Sequence, residues 1–289
     1  MELLREIEEN YVKTNGIKLH TVIAGSGEPI IMLHGFPDFW YGWRDIIMGL
    51  KDEYKCIAPD TRGNNLSDKP RGIENYRLEI LVEDIKGLSE ALGLKKIYLM
   101  GHDWGAPPCW AFAERYPELV KKLIILNGPH FVSAREVYET DEKQMRASSY
   151  MELFAKPEAV EQLSRNNYQL LRLVILGMVK RKDAVTEFDV ERYIEAWSQP
   201  GAVRGGLEYY RMVEENRDKI TEEWTGIINV PTLVIHGMQD PAITPQTLKN
   251  LENYVKDLKI VYVENASHFV MVDAPEIVVA NIKEFIGKK

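Results

Sequence analysis

At 289 residues, with 45% hydrophobic and 28% charged side chains, the chain has the composition of an ordinary globular protein with enough apolar material for a sizeable core. Its formal net charge of −8 leaves no basic surplus to neutralise phosphates, which excludes a nucleic-acid binder and otherwise favours solubility.

The chain begins with Glu2, Glu6, Glu8 and Glu9 where a secretory signal would have a basic start and an apolar run. Short β-like runs follow at 17–24, 29–33, 54–58, 96–100 and 122–126, rich in β-branched residues and bounded by Gly, Pro or Asp. Between them Leu81, Ile85, Leu88 and Leu92 mark one face of a helix that ends at Gly93. Strands alternating with helices predict right-handed crossovers and an α/β fold with a mostly parallel sheet. From about 131 to 223 no strand is expected. There Leu163, Leu170, Leu171, Val174, Ile175 and Met178 predict an amphipathic helical face, punctuated by Pro157, Pro200, Gly201 and the Gly205-Gly206 pair. The α/β pattern then resumes, with strands at 231–235 and 259–263 and helices at 245–255 and 275–286. The expected division is a core of residues 1–130 and 222–289 carrying a helical lid at 131–221. The most apolar stretch, 170–179, contains Arg172 and is too short to span a bilayer. Cys56 and Cys109 lie inside apolar runs, as buried thiols of a reducing compartment do, so a cytoplasmic protein without a membrane partner is expected.

Three positions carry the chemistry. Asp103 stands in the centre of Gly101-His-Asp-Trp-Gly105, between a β-run and an apolar helix. This is the nucleophile-elbow pattern with Asp in place of Ser, and Gly101 and Gly105 let the backbones of a sharp strand-to-helix turn approach. Asp240, in Gly237-Met-Gln-Asp-Pro241, and His268, in Asn265-Ala-Ser-His-Phe269, each follow a predicted strand. An Asp in a turn or a His in a loop is by itself unremarkable. Nucleophile, acid and histidine in that chain order, all past the carboxyl ends of strands, are not. The segment from His34 to Trp40 follows a buried strand and brings the Phe36 amide beside the elbow, where it forms an oxyanion hole with the amide of Trp104; Pro37 is a candidate cis proline. No spacing matches a metal site or a phosphate-binding glycine loop, so no metal or cofactor is expected.

His34-Gly-Phe-Pro-Asp-Phe-Trp-Tyr-Gly-Trp43, Asp60-Thr-Arg-Gly63 with Ser67-Asp-Lys-Pro70, and Gly101-His-Asp-Trp-Gly105 together resemble the soluble-type epoxide hydrolases of the α/β-hydrolase superfamily, from about Tyr11 to the C-terminus. The resemblance implies an α/β-hydrolase fold with an inserted helical cap, and a small epoxide and water as partners in a monomer or homodimer. It also implies two lid tyrosines over the epoxide oxygen, at Tyr150 in Ser148-Ser-Tyr-Met151 and Tyr210 in Glu208-Tyr-Tyr-Arg211. Without it the residues alone do not separate Tyr150 from Tyr168 or Tyr210 from Tyr209. Phe36, Pro37, Trp104 and Phe269 are expected to line the substrate pocket.

An ionised carboxylate attacks a saturated carbon without first losing a proton, so Asp103 suits epoxide opening or halide displacement through a covalent alkyl ester, which water activated by His268 then hydrolyses. Asp240 would fix the tautomer of His268. Related haloalkane dehalogenases share the Asp nucleophile and hold halide with N–H donors; here Trp104 could supply one, and Trp197 lies in the lid but in no matching motif. Fluoroacetate dehalogenases carry arginines just after the nucleophile, and this chain has Trp104-Gly-Ala-Pro-Pro108. Dehalogenation is therefore the alternative enzyme, and a catalytically silent ligand-binding protein the alternative of another class. Pro107 and Pro108 depart from the small residues usual at their positions; they are expected in the first turn of the helix, where missing N–H groups cost little.

Overall fold

The computed structural model describes residues 3–287, and of residues 217–222 the backbone alone. Among the described residues eight strands form one sheet. They are β1 (Glu8–Thr14), β2 (Ile17–Ala24), β3 (Glu28–Leu33), β4 (Tyr54–Pro59), β5 (Ile97–His102), β6 (Val120–Leu126), β7 (Thr232–Gly237) and β8 (Leu258–Val263), in the order β1-β2-β4-β3-β5-β6-β7-β8. The β1–β2 and β2–β4 pairs are antiparallel and all the others parallel. β5 and β7 are buried along their whole length, as strands covered by helices on both faces must be, and this explains their unbroken apolar character. β1 was not among the expected strands. It is an edge strand whose Val12 and Thr14 are buried while Glu8, Glu9, Tyr11 and Lys13 face solvent, so its charges mask the alternation.

Helices α1 (Arg44–Leu50), α2 (Leu78–Ala91) and α3 (Ala106–Arg115) follow β3, β4 and β5. Leu78, Ile85 and Leu88 of α2 pack with Trp110 and Phe112 of α3 in the core on one face of the sheet. Ile46, Ile47 and Leu50 of α1 pack on the other face. After β6 the chain leaves the sheet for α4 (Arg135–Thr140), α5 (Glu142–Ala147), α6 (Tyr150–Ala155), α7 (Ala159–Met178), α8 (Glu187–Ser198) and α9 (Ala202–Glu223), and returns at β7. α10 (Val270–Asp273) and α11 (Pro275–Gly287) complete the order, and Val278, Ile282 and Ile286 of α11 join the core beside α1.

Two expected elements are corrected. Residues 245–255 form two 3-10 turns, Pro245–Leu248 and Leu251–Asn253, and not one helix. Asn250 between them has φ of 63°, and a left-handed residue ends a right-handed helix. In α7, Leu163, Leu171 and Ile175 are buried as expected but Leu170 is 48% exposed. Asn166, Asn167 and Tyr168 have φ of 50°, 54° and 57°, and this left-handed turn resets the phase of the apolar face.

Helix α8 is tied to the loop after β3. The Tyr193 hydroxyl donates to Asp38 Oδ1 at 3.0 Å, the Trp197 indole N–H to the Pro37 carbonyl at 2.7 Å, and the Tyr41 hydroxyl to Asp189 Oδ1 at 2.8 Å. All of these side chains are buried, so neither layer can slide without leaving polar groups unpaired.

Candidate active site

β5 runs directly into Asp103, whose φ of 50° places a non-glycine residue in the left-handed region. Such backbone strain persists only where the surroundings fix it, and a sharp turn that lifts a side chain off the sheet is one such place. A Cβ on Gly105 would come within 2.1 Å of the Leu33 carbonyl oxygen, and one on Gly101 within 2.6 Å of the Gly105 carbonyl oxygen, so only glycine permits the turn to pack against β3. Pro107 and Pro108 occupy the second and third positions of α3, in its first turn as expected.

The loop after β3 meets the elbow. The Phe36 N–H donates to Asp103 Oδ1 at 3.0 Å, and the Trp104 N–H also bonds the carboxylate. The Phe36–Pro37 peptide bond is cis. His34 holds the loop: the Thr61 N–H donates to its Nε2 at 2.9 Å, so Nδ1 must carry the hydrogen that reaches the Gly35 carbonyl at 2.7 Å.

Asp240 and His268, 28 residues apart, meet at the ends of β7 and β8, with His268 Nδ1 2.9 Å from Asp240 Oδ2. Asp240 Oδ1 accepts the amides of Ala242 and Ile243 at 2.8 and 2.9 Å, which aims the other oxygen at the imidazole. His268 Nε2 stands 3.5 Å from Asp103 Oδ2, the oxygen not held by the Phe36 amide. Burial disfavours the charged imidazole, yet the charge and hydrogen bond of Asp240, with Asp103 and Asp38 behind it, push His268 up to about 9. Burial also raises Asp103, against the pull of His268 and the two amides. Asp240 is held below its ordinary value because His268 and the Ile243 amide outweigh its burial. The site therefore holds His268 as an imidazolium between two carboxyl groups, Asp240 at Nδ1 and Asp103 Oδ2 near Nε2.

Tyr150 opens α6 and Tyr210 lies in α9. Their rings are 6.1 Å apart at 69°, and Tyr210 packs edge-on to Trp104 at 4.9 Å and to Phe36 at 6.2 Å. Burial raises both phenols well above the ordinary tyrosine range, and the Asp103 charge adds to it, so both hold their protons at neutral pH. Tyr168 packs instead on Trp197, and the Tyr209 hydroxyl donates to the Arg62 carbonyl at 2.8 Å.

A cavity of about 270 Å³ opens beside these groups. Its wall carries Trp104, Ser149 and Met151 on either side of Tyr150, Tyr209, and both Pro107 and Pro108. Of the four residues expected to line the pocket, only Trp104 is in this wall. Phe36 packs edge-on to Phe154 and Tyr210, Pro37 offers its carbonyl to Trp197, and Phe269 is buried against His102 and His268.

Three polar residues of the site escape the motif reading. The Asn127 side-chain amide, just past β6, donates to Asp240 Oδ2 at 2.7 Å, the oxygen that also faces His268. Gln144 of α5 accepts the Thr244 amide at 2.8 Å and donates to the Ala242 carbonyl at 2.8 Å, clamping the loop that carries Asp240. Tyr138 of α4 lines the cavity. Asn127 could have been found as a polar residue at the end of an apolar strand; Gln144 and Tyr138 carry no local signal.

A mostly parallel sheet with an acidic elbow, an amide pair on its carboxylate and an Asp–His pair beyond it defines an α/β hydrolase. The chain belongs to that family: residues 28–275 match the α/β-hydrolase fold model, and within the fold its relatives include epoxide hydrolases. It is 39% identical over 280 residues to the AB hydrolase superfamily protein YfhM of Bacillus subtilis, covering 96% of each chain. It is 35% identical over 289 residues to epoxide hydrolase 1 of Caenorhabditis elegans, covering 97% of this chain and 70% of that one. The crystal structure of the Bacillus megaterium epoxide hydrolase in complex with an inhibitor superposes with a TM-score of 0.90 at 36% identity, covering 96% of this chain and all of that one.

Proposed function

We propose that the protein hydrolyses epoxides to vicinal diols through an ester on Asp103, with the helices between β6 and β7 acting as the lid. The reading rests first on a pair of protonated phenols, the partly buried Tyr150 and the buried Tyr210, close to a carboxylate whose Oδ2 is not held by the Phe36 amide. Asp103 Oδ2 attacks a ring carbon, the C–O bond breaks, and the oxygen takes a proton from a phenol. An alkoxide is far more basic than a phenolate, so the raised phenols remain competent donors. Oδ1 becomes the ester carbonyl oxygen, already on the Phe36 amide and poised for the oxyanion of the second step.

Esterification removes the negative charge of Asp103 and with it part of what raises His268, so the imidazole gives up its proton more readily once the first step is complete. Neutral His268 then deprotonates water, hydroxide adds to the ester carbonyl carbon, and collapse breaks the bond from that carbon to the alkyl oxygen. The proton that the imidazolium gave up after the first step restores the phenol. The departing alkyl oxygen takes the carboxyl proton, so that Asp103 returns to a carboxylate and the diol leaves, and the proton taken from water recharges His268. One water is consumed for each epoxide.

Halide displacement is the weaker reading because Trp197, the second N–H considered for a halide, is spent on the Pro37 carbonyl at 2.7 Å. The test is a panel of terminal and internal epoxides beside matched bromoalkanes, with Asp103→Ala as control. Diol that disappears in the control is expected; bromide without diol would overturn the reading in favour of dehalogenation, and neither product would favour a binding protein.

A further inference from the structure

The cavity wall is mainly apolar, with Leu78, Leu81, Pro107, Pro108 and Met151 along it, and Tyr138 interrupts that surface. Its hydroxyl makes no hydrogen bond to any described residue. The charges of Asp240 and Asp103 both act on it, so this wall residue lies close to the catalytic carboxyl groups. Tyr150 and Tyr210 are likewise influenced by Tyr138, so the three phenols lie near one another, with Tyr138 the one in the cavity wall.

A phenol without a protein partner in a mainly apolar wall hydrogen-bonds water whenever water reaches it. An all-carbon substituent that displaces this water leaves the O–H unpaired, whereas one carrying an oxygen at the right depth replaces the lost bond. Sites built around a hydrogen bond discriminate strongly against the analogue that lacks it, much more than apolar walls discriminate by size.

We infer that Tyr138 is a substrate-recognition residue: it donates a hydrogen bond to an acceptor oxygen on the substituent of the epoxide, whose apolar remainder runs along Pro107, Pro108 and Met151. The site then selects epoxides with an ether or carbonyl oxygen close to the ring over their hydrocarbon counterparts. This rests on the epoxide reading of the site and adds the class of substituent to it.

The test uses butyl glycidyl ether and 1,2-epoxyoctane, which differ by an ether oxygen in place of one methylene. The wild-type protein is expected to favour the ether in kcat/KM by about tenfold, chiefly through KM, as one hydrogen bond and the avoided unpaired donor imply. In Tyr138→Phe the ratio should fall to near one. Competitive inhibition of the wild type by the two corresponding diols should show the same preference, which keeps the inference testable if the variant does not fold. A wild-type ratio near one, or a preference that survives in Tyr138→Phe, would overturn it. No diol from either probe would overturn the epoxide reading beneath it.

Discussion

Replacing His268 by Gln should separate the two half-reactions. The glutamine can still donate to Asp240, but it has no basic nitrogen to put at the position of Nε2, 3.5 Å from Asp103 Oδ2. A positioned general base contributes about 10²–10⁴-fold, or roughly 3–5 kcal/mol of barrier, and all of it falls on hydrolysis of the ester. Attack by Asp103 needs no base, so the variant should accumulate one equivalent of covalent ester in a single burst and then nearly stop. The burst carries its own pH dependence. Burial raises Asp103 and the imidazolium lowers it, so removing the imidazolium moves the carboxyl further up, and the burst rate should rise with pH to a plateau at higher pH than in the wild type. Rapid-quench kinetics with intact-protein and peptide mass spectrometry would follow it, the adduct having the mass of the epoxide and residing on the peptide that holds Asp103. Steady turnover within a few-fold of the wild type, or an adduct on any other residue, would refute the division of labour.

Tyr150→Phe and Tyr210→Phe should each slow ester formation while sparing its hydrolysis, by about 10–100-fold, since each leaves one of two phenols in place; single-turnover rates of the two steps separate the effects, and a loss confined to hydrolysis would contradict the assignment. Stability should also report on His268. Its folded pKa, about 9, lies above the ordinary 6.5, so the stabilisation it provides is fully present below pH 6.5 and disappears as pH rises through about 9. Thermal melts should therefore show a decline in Tm across that window for the wild type that is smaller in His268→Gln, and parallel curves would argue that the imidazole is not held charged.

Much of this protein is legible in its sequence because strand formation and turn chemistry are local. The runs at 29–33 and 122–126 fall within strands and the run at 96–100 joins β5 from Ile97 on, and the elbow around Asp103 is announced by glycines whose absence the turn could not survive. Asp240 and His268 are readable for the same reason, since each follows directly from the end of a strand. Where a second influence competes with local pattern, the reading fails. Residues 245–255 have helical spacing but also Asn250 in the left-handed region, and β1 hides its alternation under edge charges. What only the tertiary structure decides is which side chains share a space. Gln144 reaches the Asp240 loop across 98 residues, Tyr138 joins the site through the docking of α4, and Phe36 and Phe269 turn out to be buried beside the pocket and not in its wall. Backbone propensity is encoded over a few residues, but the direction of a side chain into a cavity is set by contacts between elements far apart in the chain, and no local pattern records them.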